Sequence, residues 1–313
     1  MANIAKIFVI IVTYKGHQWY ERCFTSLRNS EYPVQTIVID NASNDGTVEY
    51  IRESFPEIHL IESKENLGFG RANNLGMRYA LDQGCDYVFL LNQDTWIEPN
   101  SISELVKIHH HYPEYGVLSP MHVTADMKGL YIEIEDGKTN YANSLLSDCY
   151  FQSLKDVYTF KYINAAAWLM TRKTLETIGG FDPIFFLYGE DDNYLQRMEY
   201  HGVKLGLAPK IQIIHDHQKK MENMTREYRL YRAEQSKLVE YTNVLKSFST
   251  KSFLWYLYRK LIISLFLCDR SRTKQIKKEI TFFKKYRRSI QLSRMINKKQ
   301  GSSWLKNGYY NLS

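Results

Sequence analysis

Apolar and polar positions along the first half of the chain fall into blocks that switch between two periods. Residues 7–12 and 36–40 are short, β-branched apolar runs, and between them 17–29 carries Trp19, Cys23, Phe24 and Leu27 at helical spacing. A second helix is predicted over 46–54 and a third strand over 58–61. A third helix ends near Gln83, with Leu75, Tyr79 and Leu81 able to face a sheet. The run 87–92 has five uninterrupted apolar residues and reads as a strand buried on both faces. A helix over 102–111 and a strand over 117–121 follow. Strand–helix alternation sustained over about 120 residues predicts an α/β fold with parallel strands covered by helices.

The pattern then changes. Residues 123–162 have weak periodicity, many tyrosines and acids at Glu133, Glu135 and Asp136, and read only as strands and loops. A strand over 165–171 and a short helix over 173–178 precede Gly179-Gly180, a helix stop. After the aromatic stretch 181–188, Gly189-Glu190-Asp191-Asp192 opens a helix with Tyr194, Leu195 and Met198 on one face. Acids at a helix start complement its dipole, which is reason enough for them. The aromatic approach adds something else, because it would desolvate a carboxylate and raise its affinity for protons. Two short strands, 205–208 and 211–215, end in His215-Asp216-His217.

Charge separates the remainder from this body. The net charge of +7 divides into 18 Lys and Arg against 28 Asp and Glu over residues 1–217, and 23 against 6 over 218–313. An acidic body with a basic, helix-patterned tail predicts a main domain over 1–217 and a C-terminal extension over 218–313 that meets an anionic surface. Within that extension 253–267 is interrupted by Arg259 and Lys260, too charged for a membrane span, and 274–296 mixes apolar residues with clustered Lys and Arg. Basic amphipathic helices of this kind lie on anionic membranes; packing on the body with solvated outer faces is the alternative. No recognition motif accompanies the charge, so nucleic acid is not an expected partner. The four cysteines are far apart, without a zinc-like spacing, and the opening apolar run of six residues is not a signal peptide. Both points predict reduced thiols in the cytoplasm.

Candidate chemistry lies where strands end or helices begin: Asp40-Asn41, Asn92-Gln93-Asp94, Glu190-Asp191-Asp192 and His215. Ligands of open α/β sheets gather at the carboxyl edge. Asp94 is a candidate ligand for a divalent cation there, against the plainer reading of a solvated turn. The loop 65–74 brings two glycines to a helix start, which favours anions, but Gly68-x-Gly70 lacks the third glycine of the dinucleotide fingerprint.

Taken together these segments resemble the family 2 glycosyltransferases, inverting enzymes of GT-A fold, and within them a rhamnosyltransferase-like branch. The matching residues are Val9-Ile10-Ile11-Val12-Thr13-Tyr14, Val38-Ile39-Asp40-Asn41-Ala42-Ser43-Asn44-Asp45-Gly46-Thr47, 66–74, Leu90-Leu91-Asn92-Gln93-Asp94, and Gly179-Gly180-Phe181-Asp182 through Glu190-Asp191. The resemblance implies a Rossmann-like nucleotide-binding mixed sheet flanked by helices. Thr13 and Asp40 would hold the base, with Asp40 accepting the imide N–H of uracil or thymine. Arg71 would sit near the base and diphosphate, with Tyr14, Asn41, Asn66, Gly70, Asn74, Asn92 and Gln93 completing the donor side. Asp94 matches the last acid of the family's Asp-x-Asp metal motif, whose first acid is here Asn92, and His215 matches a histidine that completes the metal shell in some relatives; His217 is the weaker match. Asp191 matches the catalytic base. Glu190 and Asp192 would bind acceptor hydroxyls or cap the helix, and Trp168 and Tyr188 are rings that would stack on an acceptor sugar, with packing in the core as the alternative.

The implied activity is transfer of a sugar from a UDP- or dTDP-sugar, with dTDP-rhamnose favoured, to a saccharide or lipid-linked saccharide in bacterial surface polysaccharide synthesis. Mn²⁺ or Mg²⁺ is the implied cofactor and the inner face of the cell membrane the implied location. A nucleotidyltransferase shares the layout, but it needs a glycine-rich, basic loop after the first strand where this chain has Thr13-Tyr14-Lys15-Gly16-His17. A non-catalytic nucleotide-sugar-binding module is the other alternative, and the presence of Asp94 and Asp191 speaks against it.

Overall fold

The computed structural model describes residues 4–131, 142–216 and 225–306, so Glu133, Glu135, Asp136 and His217 lie outside the described residues. The chain opens as β1 (Ile7–Thr13), α1 (His17–Arg28), β2 (Val34–Asp40), α2 (Thr47–Ser54), β3 (His59–Glu62), α3 (Gly68–Asp82) and β4 (Tyr87–Leu91). Period-two side-chain direction divides β1 between two cores. Phe8 and Ile10 pack with α3 residues such as Met77 and Ala80, whereas Ile7, Val9 and Ile11 pack with Tyr20, Phe24 and Leu27 of α1. A strand buried on both faces therefore has to be apolar at every position.

The next elements are β5 (Thr95–Ile97), α4 (Ser101–His111), β6 (Tyr115–Thr124), α5 (Ala142–Tyr150), β7 (Tyr158–Phe160), β8 (Ala167–Thr171), α6 (Arg172–Ile178), α7 (Glu190–Tyr200) and β9 (Lys204–His215). The strands form one mixed sheet in the order β3-β2-β1-β4-β8-β6-β9-β5, with β7 also paired to β9. The expected parallel arrangement holds from β3 to β4, and β8 then runs antiparallel between β4 and β6.

Three details differ from the pattern reading. The two short strands predicted over 205–215 are one strand, whose pairing to β6 jumps from Pro120↔Ala208 to Met121↔Gln212. The jump accommodates Pro209, which has no N–H to give a ladder. A helix, α5, occupies part of the segment read as strands and loops. The three-residue β5, invisible to periodicity, pairs antiparallel with β9 and brings Thr95 opposite His215.

The basic region forms α8 (Arg226–Thr242), α9 (Thr250–Phe266) and α10 (Arg270–Asn297), and no helix of the described residues is long and apolar enough to cross a membrane. These three helices enclose a core of their own, around Leu238, Tyr241, Leu257, Ile280 and Phe283, to which the preceding segment contributes Phe185. Polar contacts fasten it to the sheet domain. The buried Asp182 accepts hydrogen bonds from Ser293 Oγ and from Asn297 Nδ2, and Asn297 Oδ1 accepts from the indole of Trp304. Burial pushes the Asp182 carboxyl up while those donors pull it down. Leu305 inserts into the core that contains α3 and α7.

Candidate functional site

The carboxyl ends of β1, β2 and β4 meet at one edge. Register pairs Thr13 with Asp40, and the Thr13 hydroxyl donates to Asp40 Oδ1 at 3.0 Å while the Ser43 amide donates to Oδ2 at 2.8 Å. Asp40 is almost fully buried, with both carboxyl oxygens hydrogen-bonded, as a buried polar group requires. On the β4 side Gln93 clamps the backbone of Tyr14, accepting from its N–H at 2.9 Å and donating to its carbonyl at 3.3 Å. Tyr14, Asp40 and Gln93 thus belong to one contiguous edge. Asn41 extends it: its amide donates to the Gly68 carbonyl and its Oδ1 accepts from Leu67 N–H, while Asn66 Oδ1 accepts from Gly68 N–H.

Gly68 joins this donor edge to the other half of the site. Its φ of +75° is in the left-handed region, and a Cβ there would lie 2.0 Å from the Phe186 carbonyl oxygen. Phe69 N–H donates to that same oxygen at 3.0 Å. Only glycine allows the loop 66–70 to sit so tightly against 185–189, the segment that delivers Glu190 and Asp191. Two successive left-handed residues, Tyr188 at φ +69° and Gly189 at +93°, then turn the chain into α7.

At the head of α7 the two carboxyl groups have different surroundings. Glu190 is 5 % exposed and its Oε2 has no hydrogen-bond partner among the described residues. Burial, and then the neighbouring charge of Asp191, push its carboxyl up to about 8. Glu190 therefore carries a proton at neutral pH, as the aromatic approach predicted for a carboxylate in this segment. Asp191 is partly exposed, and its Oδ2 accepts from the Tyr162 hydroxyl at 3.2 Å. Asp192 is likewise partly exposed at the first turn.

At the other end of the edge, Asn92-Gln93-Asp94 is the turn from β4 into β5, closed by Thr95 N–H donating to the Asn92 carbonyl. Pairing of β5 with β9 sets Asp94 beside His215, with Oδ1 3.4 Å from Nε2, and Asp216 N–H donates to the Asp94 carbonyl. His215 is buried, with Tyr131 and His122 edge-on to its ring at 4.9 and 5.9 Å. Burial, reinforced by His215, pushes His122 down to about 3, so this neighbour is neutral.

Several residues assigned to ligand contacts by the sequence have structural duties. Trp168 is fully buried, packed against Phe181 and Tyr194, and offers no ring face to a sugar. Asn74, also fully buried, braces α3 to the backbone of Phe181 by donating to its carbonyl and accepting from its N–H. At Gly70 a Cβ would meet the Phe181 Cβ at 2.9 Å, so close packing against Phe181 asks for glycine there. Arg71 donates to the Pro183 carbonyl. Tyr188 has the Arg232 guanidinium 4.0 Å from its ring centroid and the Tyr228 ring edge-on, so part of its surface is taken by α8. Pattern reading missed Tyr162, Tyr228, Tyr231 and Arg232, which cluster around Asp191, Leu187 and Tyr188. Their tyrosine-rich surroundings were the only signal.

Known proteins resemble this chain in sequence and in fold. A relative from Haloferax volcanii, the low-salt glycan biosynthesis hexosyltransferase Agl10, is 23 % identical over 71 % of this chain and 71 % of its own length. An N-acetylglucosaminyl-diphospho-decaprenol L-rhamnosyltransferase of Mycobacterium tuberculosis is 26 % identical, covering 66 % of this chain and 75 % of the relative. The dTDP-rhamnosyl transferase RfbF of Shigella flexneri is 22 % identical over 67 % and 69 %. Among solved structures, the mannosyltransferase PcManGT of Pyrobaculum calidifontis, in complex with GDP-Man and Mn²⁺, superposes with a TM-score of 0.57 at 18 % identity, covering 95 % of this chain and 88 % of that one. This likeness identifies the fold as GT-A. The model of glycosyl transferase family 2 matches residues 8–177, from the start of β1 to the end of α6 and so across the whole donor edge, and the chain belongs to that family.

Proposed function

We propose that this glycosyltransferase moves one sugar, with inversion, from a dTDP- or UDP-sugar to a saccharide or lipid-linked saccharide acceptor. The observation that carries the reading is the pair at the head of α7. Inverting transfer is a single displacement: a base takes the proton of the acceptor hydroxyl, whose oxygen attacks the anomeric carbon as the nucleoside diphosphate departs from the opposite face. Two adjacent carboxylates resist ionising together. Glu190, buried, keeps the proton, which leaves the more exposed Asp191 to act as the base. Tyr162 holds one oxygen of Asp191 in place. Asp40 and Thr13 form the base-recognition end, and Asn41, Asn66 and Arg71 brace the loop beside it. Two relatives named as rhamnosyltransferases, one of them dTDP-dependent by name, favour dTDP-rhamnose as the donor.

Asp94 and His215 fit a divalent cation in part. A separation of 3.4 Å is close to that of two donors on one ion, about 3 Å. Among the described residues no group of three His, Cys, Asp or Glu side chains is placed to hold a metal ion. An ion held by these two would rely on the donor's phosphate oxygens and water for its other positions, as Mg²⁺ and Mn²⁺ do. Bound there, it would offset the charge developing on the leaving diphosphate. The basic helical region, 218–313, brings the enzyme to the anionic inner membrane surface where a lipid-linked acceptor resides.

The test is a panel of dTDP- and UDP-sugars with Mn²⁺ or Mg²⁺, reading release of nucleoside diphosphate. One donor should turn over, and Asp191→Asn should lower kcat by about 10²–10⁴ while donor affinity persists. A near-normal rate for Asp191→Asn removes the base assignment. Calorimetric titration with Mn²⁺, with and without nucleoside diphosphate, tests the cation site independently of turnover, with Asp94→Asn as control.

A further inference from the structure

α9 is apolar on both of its faces. Its inner face, Phe253, Leu257, Leu261 and Ser264, packs toward α8 and α10. Its outer face shows Trp255 at 63 % exposure, Ile262 at 55 % and, at the end next to α10, Phe266 at 85 %. Large apolar side chains left exposed on a helix that already packs through its other side call for a second partner. Three cations lie over the exposed rings of this face: Arg259 on Trp255 at 4.8 Å, Lys260 on Tyr256 at 4.7 Å and Lys284 on Tyr258 at 5.5 Å. Beside it, α8, α9 and α10 bound an open groove of about 940 Å³. Leu230, Leu265 and Phe282 line it with apolar surface; Arg270, Lys274, Lys277 and Lys278 line it with positive charge, against the single acid Glu234.

We infer that the outer face of α9, with the α9–α10 turn at its end, inserts into one leaflet of an anionic bilayer, and that the adjacent groove receives the phosphate of a membrane phospholipid. This rests on the membrane-surface reading above and makes it specific, assigning the face, the inserting side chains and the head-group site. Charge selects the occupant. α10 carries ten Lys and Arg against Glu279 alone, so two copies meeting across this face would repel, whereas an anionic surface attracts it. The arrangement of apolar rings below cations matches the water–lipid boundary, where aromatic and aliphatic groups go down and long basic side chains reach back to phosphate.

Co-sedimentation of the full chain with phosphatidylcholine vesicles, and with vesicles containing phosphatidylglycerol, tests the inference. The wild-type protein should bind the anionic vesicles, release them as salt rises, and leave the neutral ones. Phe266→Glu with Trp255→Glu should abolish sedimentation. Lys274→Ala with Lys277→Ala and Lys278→Ala should weaken it about a hundredfold, since each charge near the surface is worth roughly fivefold. Trp255, Phe266, Lys274, Lys277 and Lys278 are all exposed, so the fold does not depend on them and circular dichroism should be unchanged. Wild-type binding that the variants retain in full overturns the assigned face while leaving membrane association standing. Absence of wild-type binding, full displacement by millimolar inorganic phosphate, or a dimer in light scattering that Phe266→Glu dissolves overturns the inference altogether. Donor hydrolysis, measured in parallel without vesicles, should be equal in all variants, so failure here is separable from failure of the glycosyltransfer reading.

Discussion

The donor edge and the head of α7 are built on opposite principles. At the donor edge, Thr13, Asp40, Ser43, Tyr14 and Gln93 satisfy one another's hydrogen bonds, and a buried charge rests at ease among them. At the head of α7, a buried carboxyl has an oxygen with no hydrogen-bond partner among the described residues, beside a second carboxyl and after two left-handed residues. Satisfied polar groups hold a shape before the ligand arrives, as recognition requires. Strain and raised proton affinity concentrate where chemistry is done. On the function proposed above, the first region binds the donor and the second moves the proton.

The largest test of this division acts on the seam. Gly68→Ala forces a Cβ to 2.0 Å from the Phe186 oxygen at positive φ, and backbone cannot rotate away as a side chain would. Gly46 is the control, with φ of +83° and nothing within 4 Å of its Cβ. In urea titrations Gly68→Ala should lose about 3 kcal/mol or more and Gly46→Ala about 1 kcal/mol. Equal losses would mean that the two regions are not wedged together at this point.

A smaller effect separates the two regions kinetically. Asp40→Asn keeps the size of the side chain but turns one of its acceptors into a donor, facing either the Ser43 amide or the Thr13 hydroxyl. The donor KM should rise about ten- to a hundredfold with kcat changed much less, because an interaction made equally in ground and transition states appears in KM. A fall in kcat at constant KM would place Asp40 in the chemistry and dissolve the contrast.

What could be read from the chain follows from the range of the forces involved. β1, β2 and β4 announce themselves because burial on both faces leaves only apolar residues, and the ends of these strands carry Asp40 and Asn92-Gln93-Asp94 to one edge of the sheet. β5 is three residues long, too short for a period, yet it is the element that sets Asp94 beside His215. Trp168 and Asn74 look like ligand contacts in a sequence because an aromatic or an amide serves a sugar and a core equally well; only their burial decides, and burial depends on Phe181 more than 10 residues from Trp168 and 107 from Asn74. Tyr162 reaches Asp191 across 29 residues without any local signature.

The finest test concerns the proton on Glu190. Its carboxyl is pushed up to about 8 from the ordinary value of 4.5, so between these limits the folded protein holds a proton that the unfolded chain has released. Stability should therefore fall as pH rises from about 4.5 to 8, the direction opposite to that of a salt-bridged carboxylate. Glu190→Gln, which fixes the neutral form, should be as stable as the wild type near pH 5 and more stable near pH 8, flattening that part of the profile. Its activity should respond least of all the variants at neutral pH, since the wild-type side chain is already protonated there, and the wild type alone should lose rate as Glu190 ionises beside Asp191. A Glu190→Gln enzyme with an unaltered stability profile would show that Glu190 titrates normally, and the α7 head would then differ from the donor edge in backbone strain alone.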